Sequence, residues 1–212
     1  MTKIILIRHG ESMANFEGIF AGHLNVDLSP KGELQAQKTA EYVVENFKVD
    51  RVLASDLKRA FRTADFVAKK LGLETESDKR FREIDAGEWD GQIFDKLPLL
   101  YPDTFAQWKT DIGNARCTGG ESIKELYDRI SSALLDVAVN NDGKTVVIGT
   151  HATPVRAATT MALGYSVHEM KDVRWASNAS LTVLEYDGEW KIALQGFDKH
   201  LEGIDSFLPE NV

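Results

Sequence analysis

The stretch IILIRHGES, residues 4–12, runs from four apolar residues straight into an arginine, a histidine and a glycine. A short, isoleucine-rich apolar run reads as a buried strand. Ending such a strand on Arg8 and His9 sets two cationic or potentially cationic side chains together. They repel unless something anionic sits between them, so the rest of the chain can be read for what brings an anion there.

Outward from this strand, LSPKGELQAQKTAEYVVENF (residues 28–47) reads as a helix, with Ser29 as N-cap and Pro30 in its first turn. Ala40, Val43, Val44 and Phe47 fall on one face at helical spacing. RVLAS (51–55) is a second short strand. SDLKRAFRTADFVAKKLG (55–72) is expected as a helix starting at Ser55 or Asp56 and ending at Gly72. Ser122 and Glu125 form a capping-box pattern before the apolar stripe Ile123, Leu126, Ile130, Leu134 and Val137. TVVIGTH (145–151) is a third buried strand, followed by a helix over PVRAATTMALG. Near the end, SLTVLEYDGEWKIALQG reads as two strands joined at Asp187-Gly188. The final SFLPENV is expected as a surface tail. Alternating strands and helices point to a layered α/β sheet. Residues 85–120 differ in texture, rich in glycine, proline and aromatics, and read as a cap-like insertion, helical around TFAQW.

The 212 residues fit one domain, 1–212, carrying that insertion. A net charge of -8 argues against a generic nucleic-acid or anionic-membrane binder, since those rely on broad basic surfaces. One cysteine, Cys117, allows no internal disulfide and is compatible with a reducing cytoplasm. The N-terminal apolar run is too short for a signal peptide, and no run approaches a membrane span. The expected location is cytoplasmic.

In open α/β sheets, ligands bind where strands end and loops lead into helices. The first strand delivers Arg8 and His9, the second Ser55 and then Arg59, the third Thr150 and His151. If these strands are neighbours, two histidines and two arginines converge on one crevice, and Glu83 could hang over it. Taken singly, each has a plainer explanation. Histidines after strands are usually structural, arginines surface ion-pair partners, and Glu83 sits among charges in a loop. His23, His168 and His200 keep that plain reading. Together the set suits phosphate. Planar guanidinium forks match its oxygens. Gly10 would let backbone approach a ligand, and a helix start after RHG would add N–H groups. A histidine among arginines is held neutral by burial and repulsion, and a neutral imidazole can take up a phosphoryl group covalently. The leaving alcohol needs a proton, for which Glu83 is the well-placed acid. No P-loop, dinucleotide fingerprint, His-Glu-x-x-His or paired-cysteine motif appears. Cys117 reads as a structural thiol.

LIRHGES, GHLNVDLSPKGELQA, ASDLKRAFRTA, REIDAGEWDG, GGES and VVIGTHATPVRA, in that order, resemble the histidine phosphatase superfamily, the phosphoglycerate mutase-like group. The resemblance implies a three-layer α/β/α sandwich with a mostly parallel central sheet and a small cap-like insertion. It places the nucleophile on His9, the phosphate clamp on Arg8 and Arg59, the proton donor on Glu83 and the second histidine on His151. Ser12 and Asn15 match phosphate-holding positions, and Ala21 and Gly22 a loop lining the substrate side. Ala152 stands where the family usually has glycine. No metal and no cofactor are implied. The partner implied is a small phosphorylated metabolite, not nucleic acid or membrane, and similar proteins are commonly homodimers.

Two enzyme readings and one of another class follow. GEWDGQIFDKLPLLYP is shorter than the matching region of cofactor-dependent phosphoglycerate mutases and resembles metabolite phosphatases. The favoured reading is therefore a metal-independent phosphomonoesterase of histidine acid type, with mutase as the alternative. A non-catalytic phosphate-ester binding module is the alternative of another class, since fold does not fix function. Trp89, Phe94, Leu97, Leu99, Leu100, Tyr101, Phe105 and Trp108 form either an apolar wall for substrate or the packing of the cap onto the sheet. Arg116 reads as a solvated loop arginine rather than a carboxylate contact.

Overall fold

The computed structural model describes residues 1–204, so the expected C-terminal tail lies outside the described residues. The strands are β1 (Thr2–Arg8), β2 (Arg51–Ala54), β3 (Thr75–Ser77), β4 (Thr145–Thr150), β5 (Leu181–Tyr186) and β6 (Trp190–Phe197). They form one six-stranded sheet in the order β3-β2-β4-β1-β5-β6. β1, β2, β3 and β4 run parallel, while at one side β5 pairs antiparallel with β1 and β6 antiparallel with β5. Strands β2, β4 and β1 are neighbours, so the three polar strand ends lie side by side.

The helices are α1 (Met13–Glu17), α2 (Pro30–Asn46), α3 (Lys58–Leu71), α4 (Leu97–Leu100), α5 (Pro102–Thr110), α6 (Ile123–Asn140) and α7 (Ala152–Ala162). Side chains alternate faces along a strand. On β1, Ile5 and Ile7 pack with Ala40 and Val43 of α2 and Ala64 and Val67 of α3. Ile4 and Leu6 pack on the other face with Ile123, Leu126 and Ile130 of α6 and Val155 of α7. With both faces covered, Ile4 to Ile7 are at most 1% exposed. Burying each such side chain contributes about 1.5–3 kcal/mol. The result is the expected three-layer α/β/α sandwich.

Local chemistry explains most element ends. Ser29 Oγ accepts the Gly32 N–H, and Pro30 stands in the first turn of α2. Ser122 and Glu125 close the capping box that starts α6. Gly72 ends α3 in the left-handed region at φ 67°. The start of α3 differs from expectation: Leu57 is its N-cap, without a side-chain cap bond. Ser55 and Asp56 are occupied elsewhere, Ser55 with His151 and Asp56 with Arg82.

Gly10 also has another use than backbone approach to a ligand. A Cβ there would strike the Gly32 carbonyl, so the residue lets β1's exit pack against α2. The helix after RHG is the five-residue α1, capped by Ser12. Residues 85–120 hold α4, α5 and short 3-10 turns, laid on the α6 side of the sheet through Trp89, Leu97, Trp108, Ile112 and Cys117. Cys117 is fully buried and burial pushes its thiol pKa up, so it is a packing residue. Among the described residues, no helix is long and apolar enough to cross a membrane.

Candidate active site

The ends of β1, β2 and β4 deliver their polar residues to one floor. His9 and His151 meet edge to face with ring centroids 5.1 Å apart. Arg59, in the first turn of α3, places Nε 3.2 Å from His9 Nε2. His9 is 4% exposed, Arg8 4%, Arg59 1% and His151 0%.

Hydrogen bonding fixes the His9 tautomer. His9 Nδ1 lies 2.7 Å from the Gly10 carbonyl oxygen. A carbonyl only accepts, so Nδ1 carries the proton. A guanidinium only donates, so Nε2 carries the lone pair facing Arg59. Burial, reinforced by Arg59 and Arg8, holds the His9 pKa well below 6.5 against the opposing Gly10 bond. Burial also lowers His151 well below 6.5, aided by Arg59, His9 and Arg8. His151 Nε2 pairs with Ser55 Oγ at 2.8 Å, and its Nδ1 has no hydrogen-bond partner among the described residues.

Both arginines stay cationic at neutral pH, although burial lowers each pKa to about 10. Arg59 is oriented by carbonyls: Nη1 donates to Leu24, and Nη2 to Ala21 and Gly22. Arg8 Nη1 donates to the Ala176 carbonyl at 2.5 Å, while its Nε lacks a partner among the described residues. Two buried guanidinium groups and two neutral imidazoles thus leave donor capacity and positive charge at one point. Glu83 offsets part of this charge for both arginines, and Asp90 for Arg59, yet the cations outnumber the nearby carboxylate at the floor, which suits an anion.

Glu83 is 7% exposed and lines the cavity above that floor. Its carboxylate accepts the Ile84 N–H at 2.9 Å and the Thr153 N–H at 3.4 Å. Arg80 pairs with Asp78 and Asp136, and Arg82 with Asp56, so the charges beside Glu83 in sequence point to other partners. Arg129 on α6 pins this segment by donating to the carbonyls of Arg80, Arg82 and Glu83. His23 also bonds the Glu83 carbonyl, in keeping with a structural role. Arg116 bonds the Gly120 carbonyl and Glu125, away from the cavity.

The cavity has a volume of about 360 Å³. Arg8, His9, Ser12, Asn15, Ala21, Arg59, Glu83 and Ala152, eight of the ten candidate positions, line it. His151 and Gly22 do not. His151 lies beneath the surface against the His9 ring. Gly22 faces inward, where a Cβ would come within 2.5 Å of Ala86 Cβ, and its contribution is the carbonyl that holds Arg59. Ser12 and Asn15 are tied together: Asn15 Oδ1 accepts Ser12 N–H and Ser12 Oγ–H, and also the Asn178 amide. Asn15 Oδ1 is thereby used up, leaving its NH2 group as the donor of that side chain.

Of the large apolar residues of the cap, Phe94 and Trp108 line the cavity, Trp89 and Leu97 are fully buried in packing, and Leu99 is 84% exposed. The remaining large apolar side chains of the wall are Ile19, Phe20, Ile93 and Trp175, which sequence reasoning missed. The apolar pair Ile19-Phe20 in the glycine-flanked loop after α1 was a usable signal, since Ile19 bridges to Ile93. Trp175, between charged and small residues far along the chain, carried none.

The chain is similar to known proteins over most of its length. Residues 4–197 match the histidine phosphatase superfamily (branch 1). Phosphoglycerate mutase-like protein 4 of Arabidopsis thaliana is 34% identical, covering 94% of this chain and 87% of its own. Phosphoserine phosphatase 1 of Hydrogenobacter thermophilus is 32% identical, covering 92% of each. A substituted phosphoserine phosphatase of Entamoeba histolytica, solved with phosphoserine, superposes with a TM-score of 0.83 at 26% identity, covering 95% of this chain and 100% of that one. The chain therefore belongs to the histidine phosphatase superfamily, branch 1, and is an enzyme of the phosphatase type.

Proposed function

We propose that the protein hydrolyses a small phosphomonoester through a phosphohistidine on His9, without metal. The observation that carries this reading is the His9 tautomer: Nδ1–H is held by the Gly10 carbonyl and the Nε2 lone pair faces the guanidinium of Arg59. The substrate phosphate sits between Arg8 and Arg59. Its oxygens take the Arg59 Nε–H, which releases the His9 lone pair. His9 Nε2 then bonds to phosphorus as the bond to the leaving oxygen breaks, and Glu83, as general acid, gives that oxygen its proton. Water next attacks phosphorus, Glu83 takes its proton, and the P–N bond breaks with its electron pair returning to Nε2. Charge on the transferring group is met by Arg8, Arg59 and the backbone at the start of α7, the kind of fixed donors that supply the largest share of such catalysis, while His151 supports the His9 ring from beneath.

Residues 85–120 are read as the cap-like insertion of a single domain. A reducing cytoplasm suits the single buried Cys117. The assembly suggested by similar proteins is a homodimer, which sedimentation reads directly.

The test is hydrolysis of p-nitrophenyl phosphate by the wild type and by His9→Ala. Hydrolysis should fall by at least about 10³-fold in the variant, the scale of losing a nucleophile. No hydrolysis by the wild type, with His9→Ala still binding phosphate esters as tightly, would favour a binding module. Released phosphate from 3-phosphoglycerate separates hydrolysis from 2-phosphoglycerate formation by a mutase.

A further inference from the structure

The cavity changes character from floor to mouth. Arg8 and Arg59 are the only lysine or arginine side chains in its lining among the described residues. Above them lies a band of Phe20, Phe94, Trp108 and Trp175. These rings support one another: Phe20 stacks on Phe94 with centroids 6.1 Å apart and meets Trp108 edge to face at 5.8 Å. Trp108 stacks on Trp175 at 6.3 Å. The Arg156 guanidinium lies 4.3 Å from the Trp175 ring and donates to the Val173 carbonyl, outside the cavity. The mouth adds two exposed carboxylates, Glu17 and Asp95, neither in an ion pair among the described residues.

We propose that this cavity selects phosphomonoesters whose alcohol carries an apolar, ring-containing body and no second anionic group. The proposal rests on the reading of Arg8, His9 and Arg59 as the phosphate floor, and adds what lies on the other side of that phosphate. With both cations committed to the phosphate, a carboxylate on the alcohol would meet aromatic carbon and two carboxylates. It would lose hydration without gaining a cationic partner. An aromatic body gains ring contacts beyond its buried area. Glu17 and Asp95 thus act as specificity residues by repulsion, the route by which a site excludes a competitor as well as attracting its own ligand.

The test compares benzyl phosphate with 3-phosphoglycerate, both alkyl esters, by kcat/KM. In parallel, calorimetry compares benzylphosphonate with 3-phosphonopropionate, which bind without reacting. The ring compound is expected to lead by at least about 10-fold in both, a Coulomb-scale discrimination. In the Glu17→Gln, Asp95→Asn double variant the lead should shrink by about 3-fold or more as the anionic ligand is relieved. Equal values, or a lead for the anionic compound in binding, would overturn the proposal. An unchanged lead in the double variant would overturn the role given to the two carboxylates. If neither ester is hydrolysed but the phosphonates keep the expected order, the hydrolytic reading fails and the selectivity stands. If both esters are hydrolysed and the phosphonates bind alike, the reverse holds.

Discussion

Lowering the pH from 7.5 to 5.5 should destabilise this fold through two imidazoles in particular. His9 and His151 are buried, and burial beside Arg8 and Arg59 holds both well below 6.5. In the unfolded chain the same side chains take up a proton as pH falls through about 6.5. The unfolded state therefore binds more protons than the folded one, and stability rises with pH across this window. Between pH 7.5 and 5.5 each imidazole costs about 1.4 kcal/mol, and the pair about 2.7 kcal/mol, for as long as the folded pKa stays below the window. His200, also lowered by burial, acts in the same direction. The assay is urea unfolding at several pH values in buffer free of phosphate and sulfate, since an anion on the floor would favour the imidazolium. The double variant His9→Gln, His151→Gln removes the two proton sites. Its stability should be flatter with pH than the wild type by about 2.7 kcal/mol over the two units. Parallel pH profiles for wild type and variant would refute the claim that the folded protein holds these rings neutral.

Three further perturbations follow from the packing. Ala179 is the one non-glycine residue with positive φ among the described residues, at 58°, and its N–H donates to the His9 carbonyl. Ala179→Gly relieves the left-handed strain and should stabilise by up to about 1 kcal/mol with kcat/KM preserved, read by thermal unfolding and kinetics. Gly22→Ala forces a Cβ to within 2.6 Å of the Ile84 carbonyl oxygen. It should cost about 1–3 kcal/mol and lower kcat/KM as the loop carbonyls leave Arg59, measured by denaturation and hydrolysis together. Arg129→Met strips the donors from the carbonyls of Arg80, Arg82 and Glu83 and unpairs Glu121. A loss of about 1–3 kcal/mol is expected, with kcat falling more than KM rises if the segment bearing Glu83 loosens.

Much of the framework is local and so could be read before any coordinates. The apolar run into Arg8 identified a strand covered on both faces, and the Ser122–Glu125 capping box marked the start of α6 within a residue. Neighbouring strand ends then made one floor from Arg8, His9, Arg59 and His151. The start of α3 was misread because Ser55 and Asp56 look like caps, yet each is claimed by a partner distant in sequence, His151 and Arg82. The packing role of Gly10 went unread for a related reason: it accommodates the Gly32 carbonyl of α2, a contact no local pattern reveals. The cavity walls were the least legible part. Phe20, Phe94, Trp108 and Trp175 come from separate segments and meet only through tertiary packing.

The central claim is that phosphorus changes partners twice, first to His9 Nε2 and then to water. The stereochemical course tests this most directly, because it does not require the intermediate to accumulate. A phosphomonoester made chiral at phosphorus with oxygen isotopes and a sulfur substituent is hydrolysed in isotopic water, and the configuration of the product is read by NMR. Two in-line displacements predict net retention. Net inversion would mean direct attack by water, and would contradict His9 as the nucleophile.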